Sequence, residues 1–300
     1  MTDKIIITFL GTGDSVPSRS RNHPAFLMTY KGENILVDCG EGTQRQFRKA
    51  GLNPCKITRI LITHWHADHI LGIPGMLKTL GLSGYNQILH IYCPKGTKIL
   101  IEQLLNLFKI KTEYPLEIKE VKGKFFDTGD FYLEAESMTH GIPCNAYSFI
   151  KKERIRIDKK ILEKLGIPEG PHLKELKERK NLTYNGKSYS FKKLTYQEKP
   201  LKVSFILDTS LNDRIIPFVM NSDILISEST FTSDLEKKAE EYKHLTVSQV
   251  AGIAKKAKVK RLFLVHISQR FSKDLKRVLE DSKRIFNSSY LPKDLEKIEL

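Results

Sequence analysis

Several things are scarce or missing in this 300-residue chain, and each absence removes a class of protein. No apolar run approaches the roughly 20 residues needed to span a bilayer, which argues against a helical membrane protein. The start, Met1-Thr2-Asp3-Lys4 followed by Ile5-Ile6-Ile7, has too short an apolar stretch for a secretory leader. Only four cysteines are present, Cys39, Cys55, Cys93 and Cys144, with no C-x-x-C pairing. They read as small buried residues in a reducing cytosol, so a disulfide scaffold is excluded and a cytoplasmic location is expected. Acidic residues are outnumbered, 35 against 50 Lys plus Arg, leaving a net charge of +15. That balance suits a polyanionic partner such as nucleic acid.

What is present is concentrated in one run, Thr63-His64-Trp65-His66-Ala67-Asp68-His69. Residues two apart share one face of an extended strand, whereas on a helix they sit about 200° apart. His64 and His66 therefore point one way, just beyond the strand-like Arg59-Ile60-Leu61-Ile62. Asp68 and His69 must turn away from that face. Two ligand pairs aimed in two directions suit two adjacent metal ions better than one.

Such a site needs further ligands, and three candidates stand where His64 stands, just past a predicted strand. His140 follows Phe131–Thr139, Asp208 follows Val203–Leu207, and His266 follows Arg261–Val265. Sites in layered α/β folds collect at one end of the strands. Of the remaining histidines, His23, His90 and His172 read as surface or structural, and Trp65 reads as packing beside the site.

Ile5–Phe9 and Ile35–Val37 read as strands, Thr43–Ala50 and Thr97–Phe108 as helices. Thr246-Val247-Ser248-Gln249 is a capping box opening a helix through Lys256, and Ser272–Phe286 reads as a basic amphipathic helix. Strands followed by helices in both halves predict two sheets packed face to face with helices outside.

Charge is uneven. Residues 151–200 hold 15 Lys plus Arg against 7 Asp plus Glu, about half of the whole excess. Lys159–Gly166 reads as a short helix with a glycine end, Pro168–Pro171 as a rigid turn, His172–Lys177 as a second helix, and Tyr184-Asn185-Gly186-Lys187 as a hairpin. Two short helices with few apolar residues should not fold alone; they must dock or protrude.

Over nearly its whole length the chain resembles the ribonuclease Z family, tRNA 3′-processing endonucleases of the metallo-β-lactamase superfamily. The matching segments are Leu10–Gly13, Pro17–Asn22, Asp38–Glu41, the His64–His69 run, His140-Gly141, Gly170-Pro171, Asp208-Thr209, Glu228–Phe231, His244 and His266–Arg270. The His-x-His-x-Asp-His run marks only the superfamily; the Pro17–Asn22 loop, the Glu228 segment with His244 and the Gly-Pro arm narrow it. Ser227 stands where the family usually has His, a departure that leaves Glu228 and His244 in place.

The resemblance implies an α/β fold, a four-layer αββα sandwich in a single domain over residues 1–300, with a flexible basic tRNA-binding arm inserted at about 151–183. It implies two Zn2+ per subunit, with Mn2+ or Fe2+ as alternatives. His64, His66 and His140 would hold one, and Asp68, His69 and His266 the other, with Asp208 between them. A metal-bridging hydroxide would attack, Asp68 would take its proton, and His244 would protonate the leaving 3′-oxygen with Glu228 holding its ring. Asp38 would support a ligand histidine or cap the Gly40–Thr43 turn. Arg19, Arg21, Asn22, Ser268, Arg270, Gly170 and Pro171 would meet the substrate. The expected partners are precursor tRNA and a second copy in a homodimer. A small-molecule phosphodiesterase or other hydrolase of the superfamily would share the ligands but not need the basic insert. A non-catalytic RNA-binding scaffold should have lost ligands, and this chain has all seven plus His244.

Overall fold

A computed structural model describes residues 3–300; the first two residues of the leaderless start expected above lie outside them. The first sheet contains β1 (Ile6–Gly11), β2 (Ala25–Tyr30), β3 (Glu33–Val37), β4 (Arg59–Leu61), β5 (Leu89–Cys93) and β6 (Leu116–Glu120). The second contains β7 (Gly123–Asp127), β8 (Phe131–Thr139) and β9 (Pro143–Lys151). Four short strands follow outside both sheets: β10 (Arg154–Ile157), β11 (Leu182–Tyr184), β12 (Lys187–Tyr189) and β13 (Thr195–Glu198). The second sheet resumes with β14 (Leu201–Ile206), β15 (Ile224–Glu228), β16 (Arg261–Val265) and β17 (Ser289–Tyr290), and β18 (Lys297–Glu299) returns to the first. The sheet orders are β18-β1-β2-β3-β4-β5-β6 and β17-β16-β15-β14-β9-β8-β7.

Strands buried on both faces should be apolar at every position yet alternate in what they touch. They do. On β2, Leu27 packs with the first helical layer, while Phe26 meets Phe205 of β14 at 6.1 Å between ring centres. On β16, Leu262 and Leu264 join the second helical layer, while Phe263 meets Phe9 of β1 at 5.5 Å. The sheets therefore face one another through aromatic rings, each worth about 1.5–3 kcal/mol when buried. Helices Thr43–Lys49, Ile73–Leu82 and Lys98–Leu107 belong to the outer layer on the first sheet. Helices Ile215–Val219, Val247–Lys256 and Leu275–Ile285 belong to the outer layer on the second. The four-layer sandwich is the architecture the strand-then-helix pattern predicts. Thr246 caps its helix by the reciprocal bonds with Gln249 that the sequence predicts.

Residues 127–132 and 150–201 make a second compact unit. Here β10 pairs with β13 and β11 with β12. Asn185 and Gly186 both take positive φ, 49° and 73°, as a primed hairpin turn requires. The two short helices, expected not to fold alone, are docked here in a core of the unit's own. Leu162, Ile167, Leu173 and Leu176 close against Leu182 and Leu194. The last two lie beyond the pair of helices on which that expectation rests.

Candidate active site

Strand ends bring the ligand-type side chains together. Three of the residues that leave a strand do so in the left-handed region: Asp38 after β3 (φ 54°), Asp208 after β14 (φ 20°) and His266 after β16 (φ 54°). Such backbone costs of order 1–3 kcal/mol for a residue with a Cβ and persists only where surroundings hold it. Asp38 is held by three bonds. Its Oδ1 accepts from the Thr63 amide at 2.7 Å, and its Oδ2 accepts from the Thr63 hydroxyl at 2.7 Å and His69 Nδ1–H at 2.6 Å. Gly40 lets this loop lie against the next turn, since a Cβ there would collide with the Asp68 carbonyl.

Donor atoms of His64, His66, His140 and Asp208 form one group, and those of Asp68, His69 and His266 a second. Asp208 stands between them. Its Oδ2 lies 3.6 Å from His64 Nε2 and 3.9 Å from His140 Nε2. Its Oδ1 lies 3.5 Å from His69 Nε2 and 3.3 Å from His266 Nε2. Asp68 Oδ2 closes the second group, 3.3 Å from His69 and 3.4 Å from His266.

Besides His69, which Asp38 holds, three more rings are oriented from behind. With the Thr63 proton given to Asp38, the Thr63 oxygen accepts His64 Nδ1–H at 3.1 Å. His140 Nδ1–H donates to the Lys243 carbonyl at 2.9 Å. Thr230 donates its own proton to Glu228 at 2.6 Å and accepts His266 Nδ1–H at 2.9 Å. These bonds fix the tautomer that turns an Nε2 lone pair inward, as ligand histidines require.

Those lone pairs have too few protons to meet. His66 Nδ1 lies 3.0 Å from His64 Nε2 and 3.2 Å from His140 Nε2, and one nitrogen can supply only one hydrogen. His69 Nε2 and Asp208 Oδ1 are buried without any partner. Unmet buried polar atoms cost about 1–3 kcal/mol each, and imidazole with carboxylate is a donor set for divalent cations. The residues present therefore fit divalent metal. For the first group titration agrees in direction. Burial, then the charge of neighbouring His69, pushes His64 down, and burial lowers His66 and His140, keeping them neutral. Burial also disfavours charge on His69 and His266, but Asp208 with Asp38 and Asp68 overrides it and raises both. Burial pushes Asp68 up, yet the neighbouring His266 and His69 hold it far below the ordinary range.

Beside the second group lies a separate pair. Glu228 is fully buried and accepts from the Thr209 amide at 2.7 Å and from His244 Nδ1–H at 3.0 Å. Burial alone would lower His244; the Glu228 charge raises it to about 9. His244 thus keeps a proton at neutral pH, with Nε2 free to give it up.

Other sequence candidates divide. Arg19 and Arg270 are exposed and Ser268 is half-buried. Arg21 is not available to a substrate. It is buried, and its Nη1 donates to Thr12 at 2.6 Å and to the Pro292 carbonyl at 3.0 Å, beside Asp294. Asn22 is committed too, its amide donating to the Glu41 carbonyl at 2.6 Å and its N–H to Asp294 at 2.7 Å. The Pro17–Asn22 loop therefore keeps only Arg19 free for a ligand. Gly170 and Pro171 open a 3₁₀ turn in the second unit. His23 lies 3.3 Å from the Ser15 carbonyl, His90 beside Glu117, and His172 stacks on Tyr184, all structural as expected. Trp65 packs on the first helical-layer core. Cys55 is the one cysteine that is not buried. Sequence reasoning missed Thr230, which a lone hydroxyl two residues after a glutamate does not announce.

Two seven-stranded sheets with helices outside and paired His/Asp groups at their strand ends define the metallo-β-lactamase fold. The crystal structure of the metallo-β-lactamase fold protein YhfI from Bacillus subtilis aligns over 100% of both chains, TM-score 0.72 and 20% identity. A family model described as Anti-Pycsar protein Apyc1 matches residues 5–139. Ribonuclease Z of Nanoarchaeum equitans is 40% identical over 90% of this chain and 85% of its own length. Human tRNase Z, short form, aligns with TM-score 0.70 and 26% identity over 98% of each chain. The chain belongs to the ribonuclease Z family.

Proposed function

We propose that this protein is a divalent-metal-dependent endoribonuclease that removes the 3′ trailer of precursor tRNA next to the discriminator nucleotide, leaving a 3′-hydroxyl and a 5′-phosphate. The observation that carries this is one carboxylate, Asp208, presenting an oxygen to each of two ligand groups beside a protonated His244, in a chain of the ribonuclease Z family. His64, His66 and His140 would hold one cation, and Asp68, His69 and His266 the other, with Asp208 shared. Two Zn2+ are the proposed occupants, Mn2+ or Fe2+ the alternatives. When bound, the cations neutralise charge at the phosphate and lower the pKa of the attacking water.

The chain's own groups do the rest. Asp68, whose Oδ2 faces His69 and His266, would accept a proton from the attacking water through its other oxygen. His244 donates its Nε2 proton to the departing 3′-oxygen, and Glu228 keeps Nδ1 occupied so that only Nε2 faces the substrate. Arg19, Ser268 and Arg270 are the proposed phosphate contacts. The unit of residues 150–201, carrying Gly170 and Pro171, is the proposed tRNA-gripping arm, supported by its excess of basic residues. A cytoplasmic homodimer is the proposed form.

The test is incubation with a precursor tRNA carrying a 3′ trailer, with zinc or manganese, and mapping of the ends. A single cut at the discriminator, lost in Asp68→Ala, is expected. Hydrolysis of a simple bis-phosphodiester without any RNA cut would overturn the RNA reading.

A further inference from the structure

Next to His244 the surface opens into a cavity of about 430 Å³, walled by Ser210, Leu211, Glu236, Glu240, Lys243 and His244. We infer that this cavity receives the base of the nucleotide whose 3′-oxygen departs, and that Glu236 and Glu240 select it through its amino edge. The inference rests on the proposed nuclease reading.

The geometry runs from the proton. His244 Nδ1 is occupied by Glu228 at 3.0 Å, so the departing oxygen must meet Nε2. The nucleotide carrying that oxygen therefore sits against His244, and the cavity sharing the His244 wall is within reach of its base. Ser210 fixes one side, its N–H and hydroxyl both donating to the Thr139 carbonyl, at 2.8 and 3.0 Å. On the other side Lys243 has positive φ, 56°, and its carbonyl holds His140. The wall is thus tied to the catalytic groups on both sides.

Its chemistry is unlike the rest of the chain. In a protein of net charge +15, two carboxylates face this cavity. Gln249 Nε2 donates to Glu236 Oε1 at 3.0 Å and aims it. Gln249 is itself pinned, because its Oε1 accepts from the Thr246 amide at 2.9 Å. A carboxylate repels phosphate but accepts from ring N–H and exocyclic amino groups. The exposed Leu211 side chain offers an apolar surface for a base face. Guanine presents its ring N1–H and its amino group side by side, two donors that match one carboxylate, whereas adenine, cytosine and uracil each set a single donor beside an acceptor, so guanine is the favoured occupant.

The experiment uses the full-length protein and four precursor tRNAs that differ only in the nucleotide 5′ to the cut. For the wild-type protein kcat/KM should be roughly tenfold higher with guanine than with the other three, the size of one bidentate contact to a base. Glu240→Gln, an exposed position where folding is preserved, should shrink that spread to within about twofold. A 6-thioguanosine at that nucleotide should photocross-link within residues 236–249. Equal cleavage of all four by the wild type, an unchanged spread in Glu240→Gln, or cross-links elsewhere would each overturn the inference while leaving the nuclease reading intact. Failure to cut any of the four would sink that reading instead.

Discussion

Asp38→Asn separates shape from tautomer. Asp38 accepts three hydrogen bonds, two from Thr63 and one from His69 Nδ1–H. Asparagine fits the space and tolerates the left-handed backbone, but one acceptor oxygen becomes an NH2 donor. If that NH2 faces the Thr63 amide, two donors meet, at a cost of about 1–3 kcal/mol. If it faces His69, Nδ1 must give up its hydrogen, which moves to Nε2. There it points at Asp208 Oδ1, where the structure leaves both atoms without a partner. The second orientation costs folding little, because the Thr63 hydroxyl can turn round to accept. It removes instead the lone pair that would face a cation. Expected is a metal affinity about 10–100-fold weaker, a melting temperature of the metal-free protein within a few degrees, and activity restored by excess metal. Equilibrium competition against a chromophoric chelator measures the affinity. A value within twofold of wild type would refute the idea that Asp38 acts through the His69 tautomer.

Other expectations can be checked alongside. As an acid, His244 is active while protonated, and Glu228 raises it to about 9; kcat should fall as pH rises through that region. Glu228→Gln, lacking the charge, should bring the fall to lower pH, and an unmoved profile would count against the pair. Chelation should abolish RNA cleavage and lower the melting temperature, since a cation bound only by the folded state stabilises it by mass action; an unaffected melting curve would mean that the two groups hold no ion. Arg21→Ala should destabilise by about 1–3 kcal/mol in a denaturant titration, because it removes the buried bonds to Thr12 and the Pro292 carbonyl. A loss confined to KM would instead restore its role at the substrate. Replacing exposed Lys174 and Lys177 by Glu should flatten the salt dependence of precursor binding, by roughly 0.9 log units per decade for each duplex phosphate no longer neutralised; an unchanged slope would remove those lysines from the interface.

Local signals in the chain carry far. A strand ending before Asp38, Asp208 or His266 is legible because an apolar run stops at a single polar residue, and the one before His140 because apolar and polar residues alternate. Thr246–Gln249 and Asn185-Gly186 are legible because a cap and a primed turn are closed within four residues. Features that depend on distant partners are not. Arg21 reads as a free loop cation until Asp294, at the other end of the chain, folds back beside it and accepts the Asn22 amide. The tripeptide Lys297-Ile298-Glu299 has no strand pattern of its own and becomes one by pairing with β1. The two short helices of the insert read as unable to fold alone, and what they dock against is not legible because Leu182 and Leu194, which complete the core, lie further along the chain. Which imidazole nitrogen faces inward is invisible in sequence, since it depends on Thr63, Thr230 and a carbonyl at Lys243.

The ligand groups are contributed from both ends of the chain: His64, His66, Asp68 and His69 early, His140 and Asp208 midway, His266 late. During synthesis on a ribosome the last of these must emerge and its strand must pair before the second group exists. A half-made chain, however well its first sheet has formed, lacks a complete centre. An enzyme that cuts RNA would in this way be disarmed while it is still surrounded by the RNAs that are making it.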